Sequence, residues 1–120
     1  MVDINVRNKK NWKGKGFYVG RPHPLSNPFK IKYNQTREEC IDKYGRLILS
    51  FIKSNNSSII NPLKNLESYL IKNGEINLIC HCSPLPCHAD IIKQILLNKF
   101  YTNKWLISEK NFDKIGIYNL

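Results

Sequence analysis

The feature that most constrains the fold is a short strand pattern followed, after a polar turn, by a helical pattern. Residues 76–79, INLI, are predominantly apolar and rich in isoleucine, which predicts a buried strand ending near residue 80. From about residue 87 to residue 99 apolar side chains recur at helical spacing, which predicts a helix. The residues predicted to face inward from this helix are Ile91, Ile92, Ile95 and Leu96.

The turn between this strand and this helix concentrates the reactive side chains. Residues 80–88, CHCSPLPCH, hold three of the four cysteines and two of the three histidines. In open α/β sheets ligands bind beyond the carboxyl ends of the strands, where free helix amides and the helix dipole attract anions. Any chemistry of this chain is therefore expected at this turn.

Two further strands are predicted near the N-terminus. Valine and isoleucine alternate with polar residues at 2–6, and residues 17–19 form a short strand that ends at Gly20. A polar loop at 8–16 separates them. The segment GRPHPLSNPF, 20–29, contains three prolines, which lack amide donors and have a fixed φ angle. It is predicted to be a stiff, irregular loop.

Two helices are predicted between this loop and the strand at 76–80. The first spans 36–53 and opens with TREE, whose threonine and second glutamate can form a capping box. After a linker at 54–58, the second is predicted to begin at Pro62, with Asn61 as N-cap, and to stop at Gly74.

These elements predict an α/β fold, small and Rossmann-like, with a largely parallel sheet flanked by about three helices. The 120 residues fit a single domain, with an ordered core at about 2–98 and a C-terminal extension at 99–120 in which 104–108 gives a weak strand signal. A GxGxxG fingerprint is missing, so a standard dinucleotide site is not indicated. Neither a membrane-spanning stretch nor a secretory signal is evident, so a cytoplasmic location without a membrane partner is expected.

The net charge of +10 permits two interpretations. A lysine-rich surface can bind nucleic acid through counterion release, with Trp12 and Phe17 interleaved among the lysines. Alternatively, the charge reflects compositional bias and solvated surfaces, because arginine, the better phosphate ligand, supplies only four of the 19 basic residues. The lysines concerned are Lys9, Lys10, Lys13 and Lys15.

Thiol and imidazole groups allow several kinds of chemistry at the turn. Cys80, Cys82, Cys87 and His88 are an alternative zinc set, but the C-x-C spacing is tighter than structural zinc usually has, so no cofactor is the first expectation. In the first turn of a helix the dipole can lower the pKa of the Cys87 thiol and make it a nucleophile, with His88 or His81 as base. The competing interpretation makes the cysteines small buried hydrophobes and has His88 hydrogen-bond to a carbonyl.

The proline-rich loop is expected to supply the other half of a binding site. Arg21 has the fork geometry for phosphate, and Asn27, held extended before Pro28, can direct its amide at a base or sugar. The competing interpretation is a turn that only seals the edge of the sheet. The complete predicted ligand-binding set is Gly20, Arg21, His23, Asn27, Cys82, Cys87, His88 and Asp90.

The two segments together resemble a bacterial and bacteriophage family catalogued as a domain of unknown function, forty-three twenty-six. Its members typically carry GRPSPLGNPF and, later, CxCxPxPCHxDxI, and the resemblance spans about residues 2–98. His23 and Ser26 depart from the usual small polar residue and glycine. The resemblance implies a phage or mobile-element context, a Rossmann-like sheet and a site shared by both motifs, but no reaction.

The expected function is binding of a nucleotide, nucleoside or related phosphorylated metabolite between the loop and the turn, to sequester or process it. Arg21 and the amides of the third helix would hold phosphate, while Asn27, His88 and Asp90 would orient base or sugar. An enzyme would be a transferase or hydrolase acting on a glycosidic or phosphate bond through Cys87 or His88. A basic nucleic-acid-binding module and a small zinc-binding protein are the alternatives.

Overall fold

The computed structural model describes residues 2–29, 36–82, 85 and 87–105. Its elements in chain order are β1 (Asp3–Asn8), β2 (Phe17–Tyr18), α1 (Arg37–Lys53), α2 (Ser57–Asn73), β3 (Glu75–Cys80) and α3 (His88–Thr102). The predicted α/β class is confirmed, with three helices and a small parallel sheet. Of the weak strand signal at 104–108, residues 106–108 lie outside the described residues, and Lys104 and Trp105 are not in a strand.

The central strand of the sheet is β3, in the order β1-β3-β2. All of β1 pairs with it in parallel, from Asp3 opposite Glu75 to Asn8 opposite Cys80. In contrast, β2 pairs only with Leu78 and Ile79, near the carboxyl end of β3. The three strands therefore end at one edge of the sheet.

One face of β3 is fully buried. Ile76, Leu78 and Cys80 alternate along the strand and join side chains from all three helices in a single core cluster. On the opposite face Asn77 and Ile79 are half-buried. There the Asn77 side-chain amide donates to the carbonyl of residue 15 at 3.3 Å, so the 9–16 loop lies against this face.

The predicted start of the second helix is wrong. The helix begins at Ser57, because Asn56 rather than Asn61 is its N-cap and accepts a hydrogen bond from the Ser58 amide at 2.9 Å. Pro62 lies inside the helix, and the linker shrinks to residues 54–56. The earlier start buries two isoleucines, Ile59 and Ile60. The burial of these two side chains favours the longer helix, although Pro62 has no amide hydrogen to donate to the helix backbone.

The predicted start of the first helix and the predicted end of the second agree with the structure. The Thr36 hydroxyl accepts from the Glu39 amide at 3.1 Å, which is half of the predicted capping box. Gly74 ends α2 in the left-handed region, with a φ of 76°, where a glycine is favoured. The third helix has Cys87 as its N-cap and extends to Thr102, slightly beyond its predicted end. Among the residues described, no helix is long and apolar enough to span a bilayer.

We expect Pro62→Ala to raise the free energy of unfolding by about 1 kcal/mol or more, because alanine restores a backbone donor inside α2 and removes the proline ring from the preceding turn. Urea denaturation measures the difference. The exposed helical substitution Lys64→Ala is the control and should change stability by less than about 0.5 kcal/mol. A less stable Pro62→Ala protein would contradict this account of the helix.

Candidate functional site

A cavity of about 510 Å³ opens at the carboxyl edge of the sheet. Its wall combines the loop after β2, the start of α1, the residues after β3 and the start of α3. The two sequence motifs therefore meet at one cavity, which is the arrangement that a shared site requires. The lining residues are Tyr18, Gly20, Arg21, Ser26, Asn27, Phe29, Arg37, Cys40, Ile41, His81, Cys82, Cys87 and His88.

Two residues of the predicted ligand-binding set do not line the cavity, namely His23 and Asp90. The Nδ1 atom of His23 accepts a hydrogen bond from the Leu25 amide at 3.0 Å, and burial lowers the pKa of this ring. The Asp90 carboxylate accepts from the Cys87 amide at 2.9 Å and caps α3. The side chains of His23 and Asp90 therefore both stabilise the backbone of their own segments. Gly20, Arg21, Asn27, Cys82, Cys87 and His88 do line the cavity.

His88 joins the start of α3 to the end of β2. Its Nε2 atom lies 2.7 Å from the Val19 carbonyl oxygen, so Nε2 carries the hydrogen and donates it. Burial lowers the pKa of His88, which outweighs the opposing effect of this hydrogen bond. The ring is therefore neutral near pH 7, with Nδ1 as an acceptor. The interpretation of His88 as a histidine bonded to a carbonyl is confirmed.

Cys87 is a buried thiol in contact with a second thiol. Its Sγ lies 3.3 Å from Sγ of Cys80, and both are buried thiols that are not joined in a disulfide. The hydrogen bond to Cys80 and burial raise the pKa of Cys87 and outweigh the lowering effect of the Ala89 amide. The predicted lowering of this pKa by the helix start is wrong. Cys87 is thus held as a thiol, as the interpretation of a small buried hydrophobe expects.

The residues of the alternative zinc set make other contacts. Cys80 and Cys87 contact each other, and the Nε2 atom of His88 is bonded to a carbonyl. Within the described part of the chain, no three His, Cys, Asp or Glu side chains are placed to hold a metal ion. The set is not assembled as a metal centre in this part of the chain.

Two arginines give the cavity its charge. Arg21 donates from Nε and Nη2 to the Asn27 carbonyl, at 3.2 and 3.0 Å, which orients the guanidinium group. Arg37, the first residue of α1, also lines the cavity, and the sequence analysis did not identify it. Among the described lining residues there is no Asp or Glu. The side-chain oxygen of Asn27 accepts from the Phe29 amide at 2.8 Å, so the amide nitrogen of Asn27 is the group available as a donor to a ligand.

Tyr44 on α1 contacts both halves of the site, and it was not among the predicted site residues. Its hydroxyl donates to the Leu25 carbonyl at 2.7 Å, inside the proline-rich loop. Its ring packs edge-on against His88, with centroids 5.4 Å apart. Burial raises the pKa of Tyr44, which keeps the hydroxyl protonated. A buried tyrosine hydroxyl among aliphatic side chains needs a hydrogen-bond partner. The position of Tyr44 among the apolar residues of the helix is therefore the sequence signal that could have identified it.

A second pair that sequence reasoning did not identify is formed by Tyr18 and His81. The Tyr18 hydroxyl lies 2.8 Å from Nε2 of His81, and the rings meet edge-on at 5.5 Å. Both residues line the cavity. Lys9 places its ammonium group 4.7 Å from the centre of the Tyr18 ring. These contacts join the end of β2 to the residue after β3.

The basic segment at 9–16 folds onto the sheet beside the cavity. The guanidinium carbon of Arg7 lies 4.2 Å from the centre of the Trp12 ring. The indole N–H of Trp12 donates to the carbonyl of Lys15 at 3.0 Å. One face of Trp12 is therefore covered by a cation. The lysines of the segment are exposed.

The comparisons with known proteins point to one family. A family model described as Domain of unknown function (DUF4326) matches residues 4–98, which include both motifs and the whole described cavity wall. No curated protein and no solved structure matches the chain.

We expect iodoacetamide at pH 8 to modify Cys82 at least about tenfold faster than Cys87, because Cys82 is the more exposed and the raised pKa of Cys87 disfavours its reactive thiolate. Tandem mass spectrometry of the peptide that contains both cysteines measures the order of modification. Faster modification of Cys87 would restore the interpretation of a nucleophilic thiol.

We expect Tyr44→Phe to lower the free energy of unfolding by about 1–2 kcal/mol, because the buried carbonyl of Leu25 loses its donor. Urea denaturation tests this, with the exposed Tyr101→Phe substitution as the matched control. Equal stability of the two variants would show that the bond to Leu25 contributes nothing.

Proposed function

The chain belongs to the DUF4326 family of domains of unknown function, and we propose that it binds a nucleotide or a related phosphorylated small molecule in the cavity at the carboxyl edge of its sheet. The observation that carries this proposal is the charge of the wall. Two arginines line the cavity and no carboxylate is found among its described residues. A cavity of this kind favours an anion, and guanidinium groups match the oxygen geometry of phosphate.

The size and the remaining surface of the cavity support a small ligand with an aromatic or sugar part. Small-molecule sites usually occupy roughly 300–1,000 Å³ and are mostly apolar with a few directed polar groups. Phe29 and Ile41 supply apolar wall, and Asn27 and His88 supply a side-chain donor and an acceptor. This combination suits a base or sugar held beside a phosphate.

The arginines, rather than the start of α3, are the better phosphate ligands. The Cys87 amide at the start of α3 already donates to Asp90, which also places a carboxylate in the first turn of the helix. That negative charge disfavours a second anion there. We therefore assign the phosphate to Arg21 and Arg37 and the orienting contacts to Asn27 and His88.

We expect at least one of AMP, GMP, CMP and TMP to raise the melting temperature of the protein, and its nucleoside to raise it less. The Arg21→Ala and Arg37→Ala variants should each bind that nucleotide at least about tenfold more weakly, because a charge-assisted hydrogen bond contributes about 1.5–3 kcal/mol. Thermal shift and calorimetric titration measure both effects.

The matched control is Arg46→Ala. Arg46 is also on α1, but it is exposed and paired with Asp42 at 3.0 Å, outside the cavity wall. It should bind as the wild type does, and circular dichroism should show all three variants folded. Equal binding by Arg21→Ala, Arg37→Ala and Arg46→Ala would contradict the assignment of the phosphate. A lack of response to all four nucleotides would contradict nucleotide binding itself.

A further inference from the structure

We propose that the cavity is also catalytic, with Tyr18 as nucleophile and His81 as its general base in the cleavage of a nucleoside phosphodiester. The inference rests on the proposed function, because Arg21 and Arg37 must first hold the phosphoryl group. It moves the chemistry away from Cys87 and His88, whose thiol and imidazole are buried and bonded to protein groups.

The geometry of the pair is that of a nucleophile and its base. The Tyr18 hydroxyl and Nε2 of His81 are 2.8 Å apart, which is the hydrogen-bond distance needed for direct proton transfer. Where Nε2 accepts the phenolic proton, Nδ1 carries the other ring hydrogen. Both side chains line the same cavity as the two arginines, so a phosphoryl group bound there is surrounded by donors and faces an oxygen nucleophile.

Tyr18 and His81 are positioned by different strands of the sheet. Tyr18 is in β2, opposite Ile79 of β3, and His81 is the first residue after β3, where its carbonyl accepts from the Asn8 side chain at 3.4 Å. A Cβ atom at position 20 would collide with the Tyr18 hydroxyl and ring, so the glycine at this position leaves room for the phenol. The Lys9 ammonium beside the Tyr18 ring adds positive charge where a reacting phenol develops negative charge.

The reaction proceeds in two balanced steps. In the first, Tyr18 Oη forms a bond to phosphorus as its proton passes to His81 Nε2, and the bond between phosphorus and the leaving oxygen breaks. The leaving oxygen takes the proton from His81, which gives a tyrosyl phosphodiester and a free alcohol. In the second, a water oxygen bonds to phosphorus, its proton passes through His81 to the phenolic oxygen, and the bond between Tyr18 and phosphorus breaks. The products are a nucleoside monophosphate and the original enzyme.

The test uses the p-nitrophenyl esters of AMP and TMP as probes with the full chain. We expect the wild type to release p-nitrophenolate, and acid quenching to trap a nucleotidyl adduct that peptide mass spectrometry places on Tyr18. Tyr18→Phe should still bind the esters in a thermal-shift assay but form no adduct. His81→Gln should bind them and release p-nitrophenolate about 10²–10⁴-fold more slowly, the usual contribution of a general base. Tyr101→Phe, which changes an exposed tyrosine outside the cavity, is the control and should react as the wild type does.

The outcomes separate the two proposals. Wild-type protein that binds an ester without release or adduct overturns the catalytic inference and leaves the binding function standing. An adduct on any other residue, or an unchanged rate in Tyr18→Phe, also overturns it. Failure of the wild type to bind either ester removes both proposals for this class of ligand. Where Tyr18→Phe does not fold, mapping of the wild-type adduct decides the question.

Discussion

The burial of one face of β3 is the constraint on which the rest of the structure depends. Both other strands pair with this strand, and its buried residues Ile76, Leu78 and Cys80 join all three helices in one core. With β3 fixed in this way, its carboxyl end has a fixed position relative to β1 and β2. The residue after β3 and the loop after β2 are therefore both held at the wall of the same cavity.

The fold and the meeting of the two motifs could be predicted from the sequence because both depend on local patterns. Strand and helix periodicity gave the element order, and parallel strands place their carboxyl ends at one edge. The start of α2 could not be predicted in this way. The local signal of Asn61 before Pro62 imitates a helix start, whereas the burial of Ile59 and Ile60 depends on the packed core.

The site was predicted less completely, because its contacts join residues far apart in the chain. Tyr18 meets His81 and Tyr44 meets Leu25 only through the packed sheet and helices, so no spacing rule identifies either pair. Arg37 was predicted as part of a helix start, but its place in the cavity depends on how α1 packs. The position of Cys87 at a helix start was foreseen, whereas the contact with Cys80 that reverses the expected pKa direction was not.

The brevity of β2 also limits strand addition at one of the two edges of the sheet. This edge strand has only two residues, and the loop that follows contains prolines at positions 22, 24 and 28, which carry no amide hydrogen. A foreign strand would find few backbone donors along this side of the sheet. The proline-rich loop is thus also a poor template for strand addition, so growth of the sheet is disfavoured at the β2 edge that adjoins the cavity.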